Sequence, residues 1–491
     1  MTTYDSAIKL RSSSNNIGSI WNLGRVKAFG NLIIDNKRPI LELFVEIKDS
    51  RQKSAYDIDN SVIKAIKPPL QPNIDGYVAG HGFISLENCA CSSINLHSSA
   101  SINKSIAVIQ LIPTKIWLGT PLKYFNGTCN YVFLFDDRIT GFFGESNITC
   151  HHSRGDRRKD PVFDLLGNPT EIWALAADNS DWIEVPSMGF KLKKSSSISS
   201  QSSSTSGYAF KSLSNIIIKF DKPQSFSDAD NIIMKIEHLL SVFSLEPFEF
   251  NYKRFEGKSV ESIGLIWRLS SRRAQFVQPM NHQILIDFSD AVQFKAALNE
   301  WFSGSEKISL SRWIFQNSLE ETDSGLARFV NVCQALEVLG RELFGRQSAG
   351  GDLDEMADLI SEKFSDTFGV EIIERAIGLL KSSNKLSFRI LLERMIFTIV
   401  DSINLGTEKD IKLFCKRIAS MRNSITHMSD NRDISIKDAY AKVNKSSLML
   451  SYMYAVITAK AMGLSLERAN SFLINNRNAR HGLPNEILES L

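Results

Sequence analysis

Apolar positions change their period along this chain, from strand-like in its first part to helical in its last. Leu41, Leu43, Val45 and Ile47 alternate with Glu42, Phe44 and Glu46, the period-two pattern of a strand with one covered face. Asp35-Asn36-Lys37-Arg38-Pro39 before them reads as a turn, and Val26 to Ile34 as the partner strand. Gly82 to Leu86, Ile106 to Leu111, Tyr131 to Phe135, Glu171 to Ala176 and Ile216 to Phe220 are further strand candidates. Short strands punctuated by turn residues predict an antiparallel sandwich or barrel-like domain. Lys194 to Gly207 is serine-rich. Such a composition buries too little apolar surface to offset its ordering entropy, so residues 195–207 are expected to form a loop. From Asp228 the spacing of Ile232, Ile236, Leu239, Leu240 and Phe243 turns helical. Two strand-like runs, Ile263 to Leu269 and Gln283 to Phe288, then close the N-terminal part.

After about Ser309 helical spacing persists. Phe329 to Leu343, Leu353 to Phe364, Ile372 to Leu380 and Leu386 to Val400 predict four helices. Thr407 opens a fifth, with Asp410 at the offset of a capping box and Ile411, Phe414, Cys415 and Ile418 behind it. The last runs from near Asp438 to Met462, and Gly463 supplies its stop. Its apolar stretch, Leu448 to Leu464, is interrupted by Ser451, Thr458 and Lys460. It is too short for a comfortable membrane span and reads as a buried bundle helix. The fold class expected is α+β multidomain: a β-rich region over 1–308, an all-α antiparallel bundle over 309–466 and a peripheral tail over 467–491.

Composition narrows the setting. A hydrophobic fraction of 43% and a charged fraction of 23% fit a globular chain that buries a full core without staples. The formal net charge is only +3, so any contact with nucleic acid must come from local basic patches. Six scattered cysteines and an N-terminus without an apolar run fit a reducing cytoplasm, with no secretory leader and no membrane anchor.

The candidate chemistry lies at the end of the fifth helix, in Met421-Arg422-Asn423-Ser424-Ile425-Thr426-His427; the plain alternative is that Arg422 pairs with an acidic neighbour and His427 caps a helix. Metal-free RNA cleavage needs a base for the ribose 2′-hydroxyl, an acid for the departing 5′-oxygen and a cation for the charge that builds on the phosphate. Histidine titrates near neutrality and serves as base or acid. Arginine stays charged and offers a planar fork to phosphate oxygens. Asn423 has three readings: it bonds the phosphate, orients His427 or caps a turn. Residues five apart on one helix face about 140° from each other. The helix is therefore expected to break after Arg422, with Ser424, Thr426, Ser429 and Asp430 forming the turn that returns His427. Lys409, Lys412, Lys416 and Arg417 lead into the motif, as an ordinary solvated face or as a track for an RNA backbone.

Other groups carry less. Arg477-Asn478 before His481 mimics the motif at a shorter spacing. Cys89 and Cys91 with Cys150-His151-His152 fit no zinc pattern, and no Walker loop, dinucleotide fingerprint or H-E-x-x-H is found, so no metal or cofactor is expected. Arg154, Arg157, Arg158 and Lys159 form a basic loop.

The RNSITH motif resembles the R-N-x-x-x-H signature of HEPN ribonucleases. Phe329 to Arg341 (FVNVCQALEVLGR), Phe388 to Met395 (FRILLERM) and the Gly-Leu pair ending Leu448 to Leu464 are similar to the ApeA-like branch of that family, as more loosely is the β-rich N-terminal region. The resemblance implies a metal-independent endoribonuclease of anti-phage abortive infection, with Arg422, Asn423 and His427 as catalytic residues and Glu337 as a supporting one. It also implies a homodimer that joins two motifs in one composite site. The implied substrate is RNA, with transfer RNA the favoured class. A phage-derived trigger would be sensed, or the nuclease restrained, by the N-terminal region. The rival expectation is a non-catalytic dimerisation or RNA-binding bundle attached to a ligand-binding β-domain.

Overall fold

The computed structural model describes residues 17–23, 26–34, 39–47, 71–78, 82–99, 104–119, 127–136, 148–152, 172–176, 181–203, 207–257, 262–268, 284–286, 291–303, 306–320, 325–344, 352–364, 367, 369–383, 386–403, 406–427 and 436–475. The chain divides into two compact units, residues 1–237 with 249–278 and residues 238–248 with 279–491.

The first unit is built on strands. β1 (Ile17–Leu23), β2 (Val26–Ile34), β3 (Pro39–Ile47), β4 (Gln71–Val78), β5 (Gly82–Ser99) and β6 (Lys104–Ile112) pair in the ring β5-β4-β1-β2-β3-β6, and β6 returns to β5. This is a closed six-stranded barrel, which removes the open edges of a sheet. Closure depends on β5, which pairs with β4 over Gly82 to Cys89 and with β6 from Ala90 onward. Asn88 with φ 49° and a register shift between Cys91 and Ser93 bend the strand where it changes partner. Trp21 fills the barrel, fully buried. Its indole N–H donates to Ser19 Oγ at 2.5 Å, and Ser19 Oγ donates to the Gly30 carbonyl at 2.7 Å. Gly76 is required beside it, because a Cβ there would lie 2.4 Å from the ring. Leu32, Leu41, Leu43, Ile74, Ile84 and Ile109 complete the core.

The same sheet continues from β5 through β7 (Lys115–Gly119), β15 (Ser262–Arg268), β14 (Tyr252–Glu256), β8 (Thr128–Phe135), β13 (Gly207–Ser225), β12 (Phe190–Ser203) and β11 (Ile183–Val185). β9 (Ile148–His152) and β10 (Ile172–Ala176) form a separate pair. Two sequence expectations are corrected here. The serine tract is not a loop through most of its length: Ser195 to Ser203 pair in register with β13, from Ser195↔Asn215 to Ser203↔Gly207. Backbone pairing with the next strand in a long hairpin supplies what the side chains lack. The run expected as a strand over Gln283 to Phe288 is, at 284–286, an irregular segment whose buried Leu285 donates its N–H to the Phe243 carbonyl at 2.9 Å. Helix α1 (Phe226–Ser244) follows β13, as the helical spacing predicts.

The second unit is helical, and helices begin before the expected Ser309. They are α2 (Ala291–Ser303), α3 (Glu306–Glu320), α4 (Gly325–Leu343), α5 (Asp352–Phe364), α6 (Val370–Ser383), α7 (Phe388–Phe397), α8 (Glu408–His427), α9 (Ile436–Ala461) and α10 (Ala469–Asn475). α4 is central and packs against α3, α7, α8 and α9. Its buried face, Phe329, Val332, Cys333, Leu336, Leu339 and Gly340, follows the expected period. Ser311 donates to the Ala335 carbonyl at 2.8 Å and lies 2.9 Å from the Tyr454 hydroxyl, tying α3 to α4 and α9. α9 is buried without interruption from Met449 to Ala459, as expected of a bundle helix. The tail expected to be peripheral contains α10, whose Phe472 is buried against Tyr452, with ring centroids 5.8 Å apart. Among the described residues no helix is long and apolar enough to cross a membrane.

Candidate active site

α8 starts where the sequence predicts. Thr407 N–H and hydroxyl donate to Asp410 at 2.9 and 2.6 Å, and Asp410 N–H donates back to Thr407 Oγ1 at 3.3 Å. This reciprocal box satisfies donors at the helix N-terminus. The hydrogen bonds from Thr407 hold the Asp410 carboxyl below its usual range.

The other end departs from expectation. The helix does not break after Arg422 but continues to His427. Thr426, expected in a turn, donates its hydroxyl to the Arg422 carbonyl at 2.9 Å and so bonds back onto the helix. Continuity fixes the angular order. Positions 409, 412, 416, 423 and 427 fall on one face within an arc of about 60°, and Arg422 lies about 140° from position 427. Lys409, Lys412, Lys416 and Asn423 on that face are exposed. Lys412 is ion-paired with Glu408 at 2.5 Å. Arg417 is half-buried and lies off this strip.

Arg422 turns instead toward α4. Its Nη2 donates to Glu337 Oε2 at 2.9 Å, and its Nη1 approaches Asn423 Oδ1 at 3.3 Å. The guanidinium carbon stands 5.7 Å from the Phe388 ring centroid at the start of α7. Glu337 is shared, because its Oε1 accepts from Arg341 Nη2 at 2.6 Å. Side-chain exposures of 25% for Arg422 and 20% for Glu337 leave the cluster open to solvent on one side. Two guanidinium groups around one carboxylate leave a net positive charge, which suits a phosphate. Cys333 lies beneath. Burial pushes its thiol well above the ordinary range, with Arg422 lowering it and Glu337 raising it by smaller amounts.

Arg422, Asn423 and Glu337 are thus brought together. Arg341 was missed by the sequence reading, although its spacing of four from Glu337 on a helix was a visible signal. The side chains of His427, Cys150, His151 and His152, the loop 154–159 and the decoy around His481 lie outside the described residues. Among the described residues no group of three or more His, Cys, Asp or Glu side chains is placed to hold a metal ion.

The family model described as Apea-like HEPN matches residues 330–467. No curated protein and no solved structure matches the chain. HEPN domains are generally ribonucleases that bind RNA and dimerise. The segment that holds Glu337, Arg341, Arg422, Asn423 and His427 therefore belongs to the ApeA-like HEPN family.

Proposed function

We propose that the chain is a metal-independent endoribonuclease of abortive infection, cutting RNA by attack of a 2′-hydroxyl on the adjacent phosphate. The observation that carries this reading is the cluster of Arg422, Glu337, Arg341 and Asn423 inside the HEPN segment. In this reading Arg422 binds the scissile phosphate and stabilises its growing charge. Asn423 adds a hydrogen bond, and His427 moves a proton. Glu337 positions Arg422. Lys412 and Lys416 follow the RNA backbone with Arg417 near them.

The continuous helix gives the dimer its role. One chain turns Arg422 and position 427 to different faces. A second copy across a two-fold axis brings an arginine of one chain beside a histidine of the other, and supplies both a base and an acid. Transfer RNA is the favoured substrate, since its anticodon loop exposes unstacked bases and free 2′-hydroxyls. The N-terminal unit senses a phage-derived trigger or restrains the nuclease.

The test is expression of the wild type, Arg422→Ala and His427→Ala in bacteria, with growth and RNA ends followed. Growth arrest and new 2′,3′-cyclic phosphate ends are expected for the wild type alone. Partial activity on co-expressing the two variants is expected of a shared site. Equal toxicity of all three proteins would sink the nuclease reading in favour of a non-catalytic RNA-binding or dimerisation bundle.

A further inference from the structure

Arg312 of α3 is a buried charge that RNA cleavage does not use. It is 8% exposed, and no carboxylate among the described residues pairs with it. Its guanidinium carbon stands 3.7 Å from the Trp301 ring centroid, and its Nη1 donates to the Trp301 carbonyl at 2.6 Å. Its Nε is buried with no acceptor. Trp301 lies in the last turn of α2, so its carbonyl is one of those left over at a helix C-terminus. Such an end carries about −0.5 of a charge, and the ring adds only the pull of its π-face. Roughly half of a positive charge is then left without compensation in a setting largely closed to water, which is costly. Burial pushes the guanidinium pKa down to about 10, with Tyr454 pulling weakly the other way. Arg341, Arg389 and Arg422 of the same unit each hold a glutamate instead.

We propose that Arg312 anchors a second anion site, which takes the phosphate or carboxylate group of a small molecule at the edge between α2 and α3. Ser311, Phe315, Ser318 and Leu319 form the buried side of α3, and Arg312 with Gln316 forms its border. Position 313 stands about 100° further round the helix, and Trp313 there is 58% exposed. The guanidinium therefore lies under the rim of the bundle and not at its centre, within reach of a group arriving from solvent. An oxyanion suits it because a guanidinium donates charge-assisted hydrogen bonds to oxygen and supplies the missing counter-charge in one contact. A small molecule suits it better than RNA. An RNA backbone needs a run of cations, whereas the sequence of α3 holds only Lys307 and Arg312. A residue so little exposed also admits one terminal group and not a chain of them.

The test is thermal melting of the full chain at constant ionic strength, with sodium chloride as the reference and inorganic phosphate or acetate as the probe. At about 10 mM, roughly ten times a millimolar dissociation constant, an occupied site should raise Tm by about 3–5 °C. A shift with phosphate assigns a phosphate-bearing ligand and a shift with acetate a carboxylate, and either supports the site. Arg312→Met should lose the shift, and Arg312→Gln gives the same readout if the methionine variant melts early. Arg422→Ala should keep it, which separates this site from the candidate nuclease centre and leaves each reading to stand or fall alone. The site is overturned if neither probe moves Tm beyond chloride, or if the Arg312 variants shift as the wild type does. It is overturned equally if Arg422→Ala abolishes the shift, which would assign the bound anion to the Arg422 cluster.

Discussion

Replacing Glu337 by glutamine tests the candidate site at its shared atom. The substitution keeps the shape and one acceptor oxygen, which can serve Arg341 or Arg422 but not both. The other guanidinium then faces an amide N–H₂. The two pairs measure 2.6 and 2.9 Å. At such separations unit charges interact by about 1.5 kcal/mol in water and about 6 kcal/mol at an effective dielectric of 20. Arg341 is 42% exposed and Arg422 25%, so solvent screens much of this. The net expectation is about 1 kcal/mol of bundle stability, or roughly 2–4 °C in Tm. The functional effect should be larger than that loss suggests, because a displaced guanidinium no longer meets the phosphate in register. Single-turnover cleavage of labelled RNA should slow by about tenfold with KM little changed, and Glu337→Asp should recover part of the rate. A glutamine variant as fast as the wild type, or faster, would refute the positioning role and make Glu337 a restraint on Arg422.

Arg422→Lys should lower cleavage by about 100-fold or more while urea midpoints stay near the wild-type value, since lysine keeps the charge but loses the fork. Thr407→Ala should cost about 1 kcal/mol in urea denaturation by removing the cap of α8. Acidification acts in the same sense: the Asp410 pKa is lowered on folding, so its contribution is present above the unfolded value and lost as pH falls through the folded one. Gly76→Ala should destabilise the barrel by about 1–3 kcal/mol, read from its melting curve, because the new Cβ meets three atoms of a fully buried Trp21. Cys333 and Cys415 should resist a thiol reagent in the native protein and react after unfolding, as peptide mass spectrometry would record, since burial holds both thiols protonated.

Local rules made some elements legible. Pro39–Ile47 is the strand its alternation predicts, Val26–Ile34 is its partner as expected, and the Thr407–Asp410 box caps the helix it was expected to open. In each case the deciding atoms lie within a few residues. The same rules failed at the serine tract, where Ser195 to Ser203 are ordered as one arm of a hairpin whose backbone pairing with the next strand side-chain composition does not encode. The site was legible by residue type but not by geometry. Arg422 and Asn423 stood out in the motif, whereas the Glu337 contact spans 85 positions of sequence and the Phe388 ring comes from a third helix. The expected turn after Arg422 did not form: the helix runs on to His427, and Thr426, expected in that turn, bonds back to the Arg422 carbonyl.

That extra turn changes what the motif can mean. Had the chain reversed after Arg422, one molecule would have held a complete arginine-histidine pair, and dimerisation would have been incidental to chemistry. With α8 unbroken to His427, the arginine is committed to the α4 side of the helix while position 427 shares the lysine face. A phosphate held by Arg422 and Arg341 then meets its proton-transfer group most directly from another molecule. The dimer is in this view the condition for cleavage, so activity should fall with the square of concentration below the dimer dissociation constant, and dilution alone should silence the enzyme. A rate per chain that stays constant on dilution to a verified monomer would show that one helix bends enough to do what its described course does not.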